Sequence, residues 1–312
     1  MATYCYGIDV GGTTVKMGIF KTTGELLEKW EIPTRTENMG EAILPDIATQ
    51  IQKNMQERQL TCDDVEGIGI GVPAPVFKNG IVKTTVNLGW GYKEVKAELE
   101  ELTGIKVNVA NDANIAALGE MWMGGGMGSQ DIVMVTLGTG VGGGIIIDGR
   151  IHTGTNGAGG EIGHMVVNDK ETEKCNCGKK GCLEQYASAT GVVRLAKKYL
   201  SEYKQGTILN MNSLSAKAIF DAVKEGDEAA IAIAEEFGSY LGMALASIAA
   251  VVDPEVFVLG GGVSKAGEIL IELVHKNFVP RAFWATRETK ITLATLGNDA
   301  GIYGGARLAL EK

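Results

Sequence analysis

Residues 4–20 read YCYGIDVGGTTVKMGIF. Tyr4 to Val10 is a short apolar run, Gly11-Gly12-Thr13-Thr14 is turn chemistry, and Val15 to Phe20 is a second apolar run, which predicts two strands joined by a glycine turn. Residues 132–149, IVMVTLGTGVGGGIIIDG, repeat the plan. There a strand from Ile132 to Leu137 runs into Gly138-Thr139-Gly140-Val141-Gly142-Gly143, then a strand from Gly144 to Ile147 and a hairpin signal at Asp148-Gly149. Working outward, Gly24 turns the chain into a third strand, Leu26 to Ile32, and Ile43, Ile47, Ile51 and Met55 mark one face of a helix over 43–58. Strands follow at 65–72 and 107–110. In the second half, a helix is expected over 227–252 and a strand over 255–259 that ends in Gly260-Gly261-Gly262. Two halves built alike predict a duplicated α/β unit facing itself across a cleft.

The chain has 312 residues, a formal charge of -9, and 44 glycines against 6 prolines. Glycine is thus about twice its usual share of roughly 7%, yet no Gly-X-Y period exists, and 45% apolar residues exclude a disordered linker. The glycines must serve particular backbone positions. Phe237 to Val252 is the longest uncharged apolar run; it falls short of a bilayer span and is expected to be a core helix. Within that helix Gly238, Gly242, Ala246 and Ala250 form a fourfold stripe suited to close packing. Met1 to Val10 lacks the features of a signal peptide, so a cytoplasmic protein is expected. Acidity without a Lys/Arg block predicts neither a nucleic-acid nor a membrane partner, and leaves backbone amides to supply positive potential for any phosphorylated ligand.

Gly138 to Gly143 satisfies G-x-G-x-x-G, but a dinucleotide fold needs a helix to open at that loop, and here three isoleucines and a hairpin follow. No G-x-x-x-x-G-K-[ST] occurs either, so a P-loop is excluded. A glycine turn between antiparallel strands instead points consecutive N–H groups into a concavity, with threonine hydroxyls as added donors. Gly11, Gly12, Thr13 and Thr14 on one wall, with Gly138, Thr139 and Gly140 on the other, could each grip part of a triphosphate; either could also be a plain hairpin. Asp9, at the end of the first strand, is placed to hold a phosphate-bound Mg2+ through water. Asp112 follows a strand and precedes a helix over 115–121, which suits either a reactive carboxylate or a helix N-cap.

Cys175, Cys177 and Cys182 form C-x-C-x4-C, with His164 eleven residues upstream. One imidazole and three thiolates suit a closed tetrahedral zinc site better than disulfides in a reducing compartment. The polar segment between His164 and Cys175 is expected to loop outward while the metal pins its ends. His152 and His275 have no such company and read as ordinary histidines.

Asp9 to Thr14, Leu137 to Gly144 and Leu259 to Val263 resemble the phosphate-1, phosphate-2 and adenosine motifs of the superfamily of sugar kinases, actin and chaperone ATPases. Gly157 to Met165 and Cys175 to Glu184 further resemble the ROK family of repressors, open reading frames and kinases, and the match runs from Tyr4 to Leu308. The resemblance implies a two-domain actin-like ATPase fold (sugar kinase/ribonuclease H-like) with an interdomain cleft: a small domain of residues 1–118 joined by a C-terminal helix over 298–312, and a large domain of residues 119–297 with the zinc site. It implies ATP-dependent phosphorylation of a hexose at the 6-hydroxyl, glucose foremost, with N-acetylmannosamine, N-acetylglucosamine or another hexose as alternatives. A non-catalytic sugar sensor is the alternative of another class.

In that resemblance Asp112 matches the catalytic base, and Asn87, Asn111, Asp112, Glu161, His164 and Glu184 the sugar ligands. Gly261 and Gly262 fall on the nucleotide side, and His164, Cys175, Cys177 and Cys182 on the structural Zn2+. Family repressors carry a helix-turn-helix extension, whereas this sequence begins at its first strand, which disfavours a DNA-binding role. Ala74 stands where many relatives have glycine in a loop expected to line the sugar. The resemblance also implies a homodimer or a dimer of dimers.

Overall fold

The computed structural model describes residues 2–311, apart from the side chain of Lys78. The chain divides into two compact units. The first holds the residues up to Gln130, then Gly144–Gly160, and everything from Leu296 onward; the second holds Asp131–Gly143 and Glu161–Thr295. The boundary expected at residue 118 lies inside a continuous helix, Asp112–Met123, so the first unit runs on past it.

The first unit is built on a sheet ordered Leu26–Pro33, Thr14–Lys21, Tyr4–Val10, Val65–Val72, Val107–Asn111. The first three strands are antiparallel, with Val10 opposite Val15 across the glycine turn, and the last two are parallel to Tyr4–Val10 and to each other. Tyr6, Ile8 and Val10 are buried, because helices cover both faces. Helix Ile43–Glu57 lays Ile43, Ile47, Ile51 and Met55 into the larger core, as its fourfold spacing predicts. A small sheet of Val76–Phe77, Ile81–Val82 and Lys93–Glu94 has no counterpart in the sequence expectations, since two-residue strands carry too little periodicity to read.

Helix Ala300–Ala309 packs on strands Tyr4–Val10 and Val65–Val72 and on helix Asp112–Met123. Its approach is unusually close. A Cβ on Gly7 would strike the carbonyl of Ile302, one on Gly69 that of Gly305, and one on Gly304 that of Ile115, so hydrogen in place of a side chain lets backbone meet backbone.

The other five-stranded sheet is ordered Arg150–Ile151, Val141–Ile147, Ile132–Leu137, Val256–Gly260, Lys290–Leu293. Val256–Gly260 is parallel to both its neighbours. The hairpin at Asp148-Gly149 forms as expected, with φ of 51° and 70° at its two central residues.

Helix Glu228–Val252 is capped by the Asp227 side chain, which accepts from the Ala230 amide. Its 25 residues are long and apolar enough to cross a membrane by length and composition, beyond what the uncharged run from Phe237 suggested. It serves as a packing core, however, since 56% of its most apolar window is buried and helices Ala189–Glu202, Ala216–Lys224 and Glu268–Phe278 lie against it. Gly238 and Gly242 admit Leu273 and Asn277 of the last of these helices. The expected stripe stops at Ala246, which is buried, because Ala250 faces outward.

Candidate active site

In the first unit the turn after Tyr4–Val10 is held from within and by Thr34, which follows strand Leu26–Pro33. The Gly11 amide donates to the Thr14 carbonyl at 2.9 Å, and Thr34 donates its amide to Thr13 O (2.9 Å) and its hydroxyl to Gly11 O (2.7 Å). Among the described residues the amides of Gly12 and Thr13 take no protein acceptor, so a bound anion can use them. Asn87, outward-facing, lies against the same turn; its Cβ would be 3.2 Å from a Cβ at Gly12.

Asp9 stands two residues before Gly11 of the turn, paired in register with Lys16 and set against Gly301 of the C-terminal helix. Burial, and then the charge of Asp112, raise its carboxyl to about 6 against the pull of Lys16. Asp9 and Asp112 therefore share one electrostatic environment. A half-buried carboxylate of raised basicity beside free turn amides has the hard oxygen donors that Mg2+ prefers.

The cap of helix Asp112–Met123 belongs to Asn111, whose side-chain oxygen accepts from the amides of Ala113 (3.0 Å) and Asn114 (3.3 Å). That separates the two jobs the sequence left open at Asp112. Asp112 is the first residue of the helix, with Oδ1 fixed by the Ala113 amide at 2.8 Å, and its charge is favoured there by the helix N-terminus. Asn111 keeps its amide group for another partner, donating weakly to Ala74 O at 3.4 Å.

In the second unit the turn Gly138–Gly140 is closed by the Gly138 amide on Gly140 O at 3.0 Å. Helix Ala189–Glu202 begins against it: the Ala189 amide donates to Gly138 O (2.8 Å) and the Thr190 hydroxyl to Thr139 O (2.7 Å). Gly261, in the left-handed region with φ of 83°, abuts the main chain of Leu137, so the third glycine loop lies directly behind the second. Glu184 reaches over the turn from the other side; its Oε2 accepts from the Val141 amide at 3.2 Å and occupies the place a Cβ on Gly140 would take. A cavity of about 310 Å³ opens here, lined by Thr139, Gly140, Cys175, Glu184, Thr190 and Arg194.

The predicted metal ligands come together. One donor atom from each of His164, Cys175, Cys177 and Cys182 lies within 4.8 Å of every other. Cys177 Sγ is 3.6 Å from Cys182 Sγ, and Cys175 Sγ is 3.8 Å from His164 Nδ1. A tetrahedron with Zn–S of about 2.3 Å and Zn–N of about 2.0–2.1 Å has edges of roughly 3.5–3.8 Å, so the donor set fits zinc. Gly181, with φ of 74°, turns the chain against the Asn168 main chain between ligands. His164 Nδ1 faces the sulfurs, which leaves Nε2 toward Glu161 Oε2, 3.9 Å away. Cys175 Sγ in turn approaches Glu184 Oε1 at 3.5 Å. The metal cluster thus touches the neighbourhood of both acids singled out in the sequence.

One expectation changes. The segment between His164 and Cys175 does not simply loop outward, because Glu171 is tucked in, its side chain 9% exposed, hydrogen-bonded to Tyr186 and Arg194. Arg194 had no sequence signal, since its role appears only when helix Ala189–Glu202 is laid beside the zinc loop.

Two five-stranded α/β sheets, each with a glycine turn, and a cluster of one histidine with three cysteines define a class, the actin-like ATPases of the sugar-kinase kind, and solved structures bear this out. A ROK hexokinase from Thermus thermophilus matches with a TM-score of 0.82 at 31% identity, covering 98% of this chain and 97% of that one. A ROK family glucokinase from Streptomyces griseus, in complex with glucose and AMPPNP, matches with a TM-score of 0.74 at 32% identity and 98% coverage of both. The sequence profile of the ROK family matches residues 5–312, and the chain belongs to that family. A glucokinase of Halalkalibacterium halodurans is 43% identical over 98% of this chain and 94% of its own length.

Proposed function

We propose that the protein is an ATP-dependent hexokinase that phosphorylates glucose at its 6-hydroxyl. The observation that carries this reading is the division of labour at Asn111-Asp112: the side-chain cap falls to Asn111, and the Asp112 carboxylate is near enough to Asp9 for its charge to raise the Asp9 carboxyl. Near-full-length likeness to proteins named glucokinases supports glucose as the hexose.

In the mechanism, Asp112 accepts the proton of the sugar 6-hydroxyl as that oxygen forms its bond to the γ-phosphorus; the bond from phosphorus to the bridging oxygen breaks, and ADP leaves with its electrons. Proton acceptance of this kind contributes about 10² to 10⁴ in rate. Amides of the turns at Gly11–Thr14 and Gly138–Gly140 stabilise the charge spread over phosphate oxygens, with Gly261 and Gly262 on the nucleotide side, and positioning supplies most of the remainder. Magnesium arriving with ATP would be held by Asp9 and would neutralise charge on the phosphates. Asn87, Asn111, Glu161, His164 and Glu184 hold the sugar hydroxyls, and a site with matched donors and acceptors rejects sugars lacking the hydroxyl it expects.

His164, Cys175, Cys177 and Cys182 would hold a structural zinc ion, which would fix the imidazole of His164 and the short helix that starts at Glu184. The enzyme is proposed to work in the cytoplasm. Replacing Asp112 with Asn and titrating glucose tests the reading, since turnover should fall by about 10² or more while glucose still binds; undiminished turnover would remove Asp112 from the mechanism.

A further inference from the structure

The zinc loop and the second phosphate turn are joined by a short chain of hydrogen bonds within one unit. Arg194 is central to it. Its Nη2 reaches Glu171 Oε2 at 2.5 Å and its Nε reaches Glu173 Oε2 at 3.0 Å, both acids lying on the loop between His164 and Cys175. A planar guanidinium can serve two carboxylates in fixed geometry, which an ammonium cannot. The Tyr186 hydroxyl also donates to Glu171, and the Arg194 guanidinium lies 5.5 Å from the Tyr186 ring centroid. Burial opposes a charge on Glu171, yet the bonds from Tyr186, the Glu173 amide and Arg194 outweigh it and hold the carboxyl down to about 2.

Four residues before Arg194, and so one helical turn below it, Thr190 donates to Thr139 O, and Ala189 donates to Gly138 O. A helix is stiff along its axis, so a force applied at Arg194 arrives at Gly138 and Thr139. Arg194 also lines the 310 Å³ cavity beside Thr139 and Gly140, although its guanidinium is committed to the two acids. We propose that Arg194 is a positioning residue for the nucleotide: it locks helix Ala189–Glu202 to the zinc loop and thereby sets the phosphate turn at Gly138–Gly140. The metal cluster then serves nucleotide binding as well as the proposed sugar ligands Glu161, His164 and Glu184. This inference rests on the kinase reading, because it needs a nucleotide at that turn.

Calorimetric titration of the intact, zinc-containing protein with AMPPNP, and separately with glucose, tests it. Arg194→Ala should keep about one zinc per chain, weaken AMPPNP binding by about 2- to 30-fold, and leave glucose affinity within about twofold. Arg194→Lys should retain most of the loss, and Glu171→Gln should weaken AMPPNP in the same direction with little further effect in combination with Arg194→Ala. Unchanged AMPPNP affinity in a zinc-replete Arg194→Ala variant would overturn the proposal, as would equal weakening of AMPPNP and glucose with loss of zinc, which marks a role in folding alone. Should Arg194→Ala fail to fold, the Glu171→Gln titration decides by the same criterion. A wild-type protein that binds no AMPPNP would instead overturn the kinase reading.

Discussion

Asn111 and Asp112 differ by one position, and the side-chain cap of the helix belongs to the first of them. From sequence alone a carboxylate ahead of a helix is ambiguous, because capping and catalysis favour the same place, and only the geometry of the Ala113 and Asn114 amides assigns the cap to Asn111. Asn111→Ala should therefore cost about 0.5–2 kcal/mol of stability in urea unfolding, as lost caps do; no shift in the midpoint would place the cap elsewhere. Asp9 offers a pH signature. Its carboxyl is raised to about 6 by burial first and Asp112 second, so it is charged and able to hold Mg2+ above that value and protonated below it. The kcat/KM for MgATP is expected to fall as pH drops through about 6 in the free enzyme. Asp9→Asn should abolish that limb of the profile along with most activity, and a limb that persists would assign the titration to another group. Cys175, Cys177 and Cys182 were legible because C-x-C-x4-C is the spacing of a metal-ligand set and their donors do converge, whereas Arg194 was not, because its partners lie 21 and 23 residues away with nothing periodic between them.

Strands and their turns follow from short-range chemistry. Tyr4–Val10 and Ile132–Leu137 are apolar runs ended by glycine, and both fold as that pattern dictates. The C-terminal helix is another matter: its glycines at 304 and 305 have meaning only beside Ile115 and Gly69, which no local pattern connects to them. Much of the glycine surplus lies at such approaches as well as in the turns. Gly305→Ala would drive a Cβ into Gly69 O and the Ile8 amide, and should cost about 1–3 kcal/mol in urea unfolding. Gly206→Ala has open space and should stay within about 0.5 kcal/mol of wild type. Equal effects at the two positions would contradict the packing described for the helix.

The repeated plan of strand, glycine turn and strand made the two-sheet architecture readable from the sequence, while the return of residues 144–160 to the first unit was not, since it follows from contacts and not from any local signal. A zinc ion in the cluster of the second unit predicts a thermal signature: stripping the metal should lower the melting temperature by about 5 °C or more, and restoring zinc should recover it. An unaltered melting temperature in metal-free protein would deny the cluster a structural role. Phosphoryl transfer from ATP to glucose is read out by following ADP release with ATP held fixed across a panel of hexoses. ADP formation with glucose at a kcat of about 1–100 s⁻¹, exceeding that with N-acetylmannosamine or N-acetylglucosamine, is the expected result. Glucose binding without ADP formation from any hexose would contradict it and make the protein a sugar sensor.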